Sequence, residues 1–213
     1  MGPSAVRRAL VVLVLVPACW GNVATEYPPG LEPLEDNTAP EPGAVDTLVY
    51  VSAHSDEFGY DWAHGRGWVA APMQVVWTAL QDSEVIVSWR RTSSHLMTPT
   101  PDPAYDLRFT MHYYVDDIIN VEWDEDWRYG VVDGSPEEPA LAMVRYQKVF
   151  GTTFIDLIEG SIQIYPKDAQ TTEIEFVEHV DATMAGTREI EISMEDRFAS
   201  IVARSHGQPL PPR

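Results

Sequence analysis

From Asp106 onward the chain is dominated by period-two alternation, and it closes on a single stripe of period 3.6. Asp106–Val115 sets Leu107, Phe109, Met111, Tyr113 and Val115 on one side, with Arg108, Thr110, His112 and Tyr114 on the other. After a break at Asp116-Asp117, Ile118–Tyr129 places Ile119, Val121, Trp123 and Trp127 opposite Asn120, Glu122, Asp124 and Asp126. Leu141–Phe150, Thr153–Tyr165 and Thr171–Ala182 read as further strands, divided by Asp133-Gly134-Ser135-Pro136, by Gly151 and by Pro166-Lys167-Asp168. Strands with one wet face, joined by short turns, predict an antiparallel meander. Between Ala185 and Ser205, Ile190, Met194, Phe198, Ile201 and Val202 then form a helical stripe. Glu189, Glu191 and Glu195 lie early in it, Arg204 and His206 late, which suits the helix dipole. A sheet of this size has to bury its apolar face, and the C-terminal helix supplies the second layer.

The residues before the meander are less regular. Thr47–Ala53 is β-rich, and Asp56-Glu57-Phe58-Gly59 reads as a turn. Trp62–Ala70 reads as a strand interrupted by Gly65 and Gly67, which predict a bulge, a bend or a close approach to a ligand. Pro72 suits a first helical position, and Met73, Val76, Trp77 and Leu80 follow at helical spacing. Asp82–Trp89 is expected as a second short helix with Val85, Ile86 and Trp89 inward. Thr98–Pro103 contains three prolines and is expected as a loop. One folded domain over residues 47–206 results, followed by an irregular tail over 207–213.

The order strand, two short helices, meander and long helix resembles the START-like superfamily, which has the helix-grip fold. The stretch from Val69-Ala70-Ala71-Pro72-Met73 through Val76-Trp77, Leu80 and Asp82 resembles the opening of that family. The resemblance covers roughly residues 60–206, and Thr47–Tyr60 stands outside the usual pattern. It implies an α+β fold, a curved antiparallel sheet wrapped around the C-terminal helix. A cavity between the two would hold a hydrophobic small molecule or lipid, with no cofactor. The expected lining is Phe109, Met111, Tyr113, Trp123, Phe154, Ile158, Phe176, Met194 and Phe198, although each is also an ordinary core residue.

The N-terminus carries a different signal. Arg7 and Arg8 precede an apolar run from Ala9 to Val16, far shorter than the about 20 residues of a spanning helix. This pattern fits a cleavable signal peptide over residues 1–18. Val16-Pro17-Ala18-Cys19 resembles a bacterial lipobox, which implies that Cys19 becomes an acylated mature N-terminus. The lipid also accounts for a single cysteine in an exported chain. Trp20 stands where Asp would signal inner-membrane retention, so an outer-membrane anchor facing the periplasm is expected. Residues 19–46 hold five prolines and six acids without Lys or Arg, and read as an extended tether. Leu31 and Leu34 within it are expected to be solvated.

Across its 213 residues the chain has 33 acidic against 14 basic side chains, a net charge of −19. That balance excludes phosphate-backbone binding to nucleic acid, and electrostatic docking on anionic lipid. Membrane contact is therefore expected through the N-terminal lipid alone, and the domain is expected as a monomer. The sequence has no P-loop, dinucleotide glycine pattern, His-Glu-x-x-His or nucleophile elbow. His54 and His64, with Asp56, Glu57 and Asp61 between them, could cup a metal, but a surface loop is the favoured reading and no metal is expected. Glu122 to Asp126 falls mostly on a polar strand face, and its tryptophans suit core or cavity lining. Asp156 and Glu178 each alternate with apolar residues and are the catalytic candidates, Asp156 facing water if the strand bulges at Gly160. Three functions follow: a binder of a hydrophobic ligand, a cyclase- or aromatase-like enzyme using an inward carboxylate, and an envelope interaction module whose acidic face docks a basic protein. An inward carboxylate with few partners in a roomy cavity favours the enzyme, and a filled interior favours the module.

Overall fold

The computed structural model describes residues 29–117, 120–183 and 185–212, so the expected signal peptide over residues 1–18 and the expected acylation at Cys19 lie outside the described residues. The strands are β1 (Thr47–Ser55), β2 (Tyr60–Val69), β3 (Ser94–Pro99), β4 (Leu107–Val115), β5 (Val121–Gly134), β6 (Pro139–Gly151), β7 (Ile155–Asp168) and β8 (Thr171–Ala182). They form one antiparallel sheet in the order β1-β2-β8-β7-β6-β5-β4-β3. The meander β3 to β8 is thus sequential, and the β1–β2 hairpin joins it beside the last strand. Helices α1 (Met73–Leu80) and α2 (Thr187–Ser205) cover the inner face, with α2 against β1, β2, β8 and α1. This is the expected α+β helix-grip architecture.

The sheet's alternation sorts its two faces. Phe109, Trp127, Tyr129, Tyr146 and Phe176 point inward and are buried. Their rings pack in series, Trp127 on Tyr146 with centroids 4.2 Å apart and Phe109 on Tyr129 at 5.6 Å. Such aromatic contacts add to the stabilisation from apolar burial. Gly65 and Gly67 make no bulge, since both sit in unbroken register between β1 and β8. A Cβ at Gly65 would strike the Met194 sulfur, and one at Gly67 the Phe198 ring. These glycines therefore let α2 lie directly on the β2 backbone.

Three expectations are corrected. Asp82–Trp89 is a set of turns and not a second helix. Val85, Ile86, Val87 and Ser88 are buried consecutively, which no single helix face allows, and three adjacent β-branched residues resist helical χ1 angles. Ser94–Pro99 is an edge strand paired with β4, so Thr98 and Pro99 belong to the sheet. Proline is tolerated there because an edge strand has one unpaired side.

The third correction concerns the tether. Residues 29–46 have no regular helix or strand, yet they run as a strap over the sheet's outer face. Leu31 is buried over Gly130, where a Cβ would collide with it. The Leu34 amide donates to Ser161 Oγ at 3.2 Å. The Asn37 side-chain amide donates to the carbonyls of Gly65 and Phe176, at 2.9 and 3.0 Å. Ala39 is also buried. The composition of a free linker is overridden here by two apolar anchors and side-chain bonds to the sheet.

Candidate functional site

The two layers do not meet everywhere. Between the N-terminal half of α2 and strands β4, β5, β7 and β8 lies a cavity of about 330 Å³. Its wall on the helix side is Ile190, Ser193 and Arg197, and the sheet contributes Tyr113, Trp123, Ile158 and Val180. The turn segment at Ile86, Ser88 and Thr92 closes one flank. That segment is held by Asp196, a fully buried carboxylate that accepts from Ser88 Oγ at 2.8 Å and from the Arg90 amide at 3.0 Å. Arg91, Asp117 and Phe154 are the lining residues most exposed to solvent, and they mark the mouth. Arg91 is paired there with Glu189 at 3.0 Å.

The structure divides the nine residues expected as lining. Tyr113, Trp123, Phe154 and Ile158 line the cavity. Phe109, Met111, Phe176, Met194 and Phe198 lie instead in the buried core and not on the cavity wall. Val121, Ile155, Val180 and Ile190 were not foreseen as lining. Ile155 and Ile158 reach the cavity together because the β7–β8 register shifts between Ile155 and Leu157. This bulge turns Asp156 out to solvent, so Asp156 is no catalytic candidate. Gly160, where the bulge was expected, stays in register and makes room for the Tyr146 ring.

Glu178 does face inward, with a partner. Arg197 donates to Glu178 Oε2 at 2.8 Å and to Tyr146 Oη at 2.7 Å, and its Nε donates to the Ile86 carbonyl at 3.0 Å. Its guanidinium also stands 4.8 Å from the Tyr146 ring centroid. Burial opposes the charge on Arg197, but attraction to Glu178 outweighs it and holds the guanidinium protonated. A buried pair of this kind needs further hydrogen bonds to be viable, and here the Arg197 Nε and Nη1 groups supply them to Ile86 and Tyr146.

Glu125 completes the polar end of the cavity. It shares a strand face with Trp123 and Trp127, and both indole N–H groups donate to its carboxylate, at 2.8 and 3.0 Å. Burial pushes its pKa up to about 7, with Arg197 pulling the other way. Tyr113, stacked on Trp123 with centroids 5.1 Å apart, turns a buried hydroxyl toward this region. That hydroxyl has no hydrogen-bond partner among the described residues. Burial, then the nearby Glu125, raises its pKa well above the usual tyrosine value.

Arg197 and Glu125 were missed in the sequence, although each left a signal. Arg197 lies seven residues after Ile190 and three after Met194, on the buried stripe. Glu125 has the parity of Trp123 and Trp127, unlike its three acidic neighbours. The suggested grouping of His54 with His64 does not form. His54 is exposed and bonds Asp61 at 3.1 Å, whereas His64 is buried against the strap.

No protein-family model matches the chain, and no curated protein does. Solved structures do. A STAR-related lipid transfer protein from Xanthomonas axonopodis superposes with a TM-score of 0.54 at 12% identity, over 84% of this chain and 98% of that one. Human StAR-related lipid transfer protein 5 gives 0.54 at 10% identity, over 84% and 88%. The lipid transfer and protein localization domain of human StarD13 gives 0.53 at 12%, over 82% and 91%. Sheet order, gripped helix and these superpositions agree, and the chain has the START-like, helix-grip fold.

Proposed function

We propose that this domain binds an apolar small molecule or lipid in the cavity between the sheet and the N-terminal half of α2. The observation that carries the reading is the cavity itself. Its volume of about 330 Å³ falls within the range of small-molecule sites, and its wall is mostly aliphatic and aromatic. The lipid transfer proteins of the same fold support it by analogy. The buried polar groups at one end suit a ligand with one polar terminus, the rest of its surface meeting Ile158, Val180 and Ile190. An interior with such a space removes the ground on which a pure interaction module would have been preferred.

Native mass spectrometry of the purified protein, followed by titration with lipid, sterol and polyketide-like probes, tests the reading. Micromolar binding, about −8 kcal/mol, is expected, with a negative heat-capacity change. Failure of every probe class would end it. A second reading, acid–base chemistry on the bound ligand, is favoured by one observation: the Glu125 carboxyl lines the cavity, where burial pushes its pKa up to about 7. Turnover lost in Glu125→Gln while binding persists would establish it.

The envelope location belongs to the same proposal. The basic pair, the short apolar run and the lipobox-like Cys19 support export and acylation, with the protein held at the outer membrane facing the periplasm. Cys19→Ser should release it from the membrane fraction or leave the signal uncut. Unchanged membrane association with the same mature mass would reject the anchor.

A further inference from the structure

The outer face of the sheet carries a second cluster that the cavity does not use. His64 on β2 and His179 on β8 project outward from neighbouring strands, and Glu35 of the strap enters between them. Glu35 Oε1 lies 2.7 Å from His64 Nε2 and 3.1 Å from His179 Nε2. The three donor atoms fall within 4.8 Å of one another. Both imidazoles are buried, and each is braced by an aromatic ring, His64 by Trp62 at 4.7 Å and His179 by Tyr60 at 4.5 Å. Behind them, His179 Nδ1 faces Glu159 at 3.5 Å, and His64 Nδ1 faces the Thr38 hydroxyl at 2.8 Å.

We infer that Glu35, His64 and His179 bind a divalent transition metal of the zinc class, which clasps the strap onto the sheet. Two imidazoles and a carboxylate select zinc, copper or nickel over magnesium and calcium. Donors around a tetrahedral ion at about 2.0–2.1 Å sit about 3.3 Å apart, so these side chains need only small shifts. Glu159, 3.5 Å from His179 Nδ1, is placed to take a proton there and orient that ring once Nε2 binds the ion, as outer-shell carboxylates do for metal-bound histidines. At His64 the Thr38 amide donates to Nδ1 at 3.0 Å, which leaves the ring proton on Nε2, donated to Glu35. Loading moves that proton to Nδ1, where the Thr38 hydroxyl accepts it, and turns the Thr38 amide away. The ion and the strap's conformation are therefore coupled. With a half-exposed Glu35, a fourth position remains open to water.

The test is titration of the chelator-treated full chain with zinc, with cobalt(II) as a visible probe and magnesium as control. One equivalent of zinc should bind with micromolar or tighter affinity and raise the melting temperature, and magnesium should not reproduce this. Glu35→Gln, at a half-exposed position that leaves both histidines in place, should weaken zinc binding by about tenfold or more. His179→Gln should do the same and lose the cobalt bands, whereas Cys19→Ser should change nothing. No stoichiometric zinc binding, or binding indifferent to Glu35→Gln, would overturn the site.

Discussion

The two halves of α2 meet the same sheet in different ways. Around the C-terminal half, Phe198 lies over Gly67 and edge-on to Phe176 with centroids 6.5 Å apart, and Ile201 is fully buried. Around the N-terminal half, Ile190 and Ser193 face the cavity. One continuous helix, Thr187–Ser205, serves both halves, so the sheet makes the difference. Near the gripped half, β2 withdraws its side chains to two glycines. Near the open half, register shifts fall between Asp124 and Glu125 in β5–β6 and between Ile155 and Leu157 in β7–β8. Bulges bend strands and strengthen their twist, and here they accompany the parting of the layers. A ligand space needs no missing side chains, only a sheet whose curvature departs from its helix.

Breaking the gripped half should have the largest effect. Phe198→Ala removes a ring from a site with little room to collapse and should cost about 3–5 kcal/mol in urea unfolding. Ile190→Ala, beside the cavity, should fall near the low end of the large-to-small range, about 2 kcal/mol. Equal losses at the two positions would mean that the halves are packed alike.

The pH dependence of the open half comes next. Glu125 has a folded-state pKa of about 7 against an ordinary value near 4.5, so the folded chain holds this proton more tightly than the unfolded one. The stability linked to this proton is full below the ordinary glutamate value and is lost as pH rises through about 7. The change amounts to roughly 3 kcal/mol. Wild type should therefore lose stability relative to Glu125→Gln as the pH is raised from 4.5 to 8. A difference that does not move with pH would place Glu125 in a wetter site.

Smaller effects sharpen the contrast. Gly67→Ala forces a methyl into the Phe198 ring and should cost about 1–3 kcal/mol without touching the cavity. Ile158→Trp fills existing space, so its stability cost should stay under about 1 kcal/mol while ligand binding is abolished. A probe that binds Ile158→Trp as well as wild type would have to sit elsewhere.

The gripped half was the more legible in sequence. Phe198 and Ile201 stand on the helical stripe, and their burial follows from periodicity alone. The open half was read less well, and for a physical reason. Asp156 and Ile158 share a parity, yet a one-residue bulge sends one to water and the other to the cavity. Glu125 and Arg197 occupy buried positions that hydrophobic patterning reserves for apolar residues. Glu125 is held there by Trp123 and Trp127 of its own strand, and Arg197 by Tyr146 and Glu178 from other strands. Partners that distant in sequence have no local signature.

Local physics carried the architecture: alternation set the strands, helical spacing set α1 and α2, and Gly59 at φ 77° closed the first hairpin. These are short-range effects of backbone geometry and amphipathic pattern, which ten or twenty residues express on their own. Only the tertiary structure decided the rest. It joined β2 to β8 and opened the cavity at one end of the helix. It also drew Glu35 out of an acidic, proline-rich stretch to lie between His64 and His179. Each of those depends on where distant strands bring their side chains, a sum of many weak contacts that no local pattern encodes.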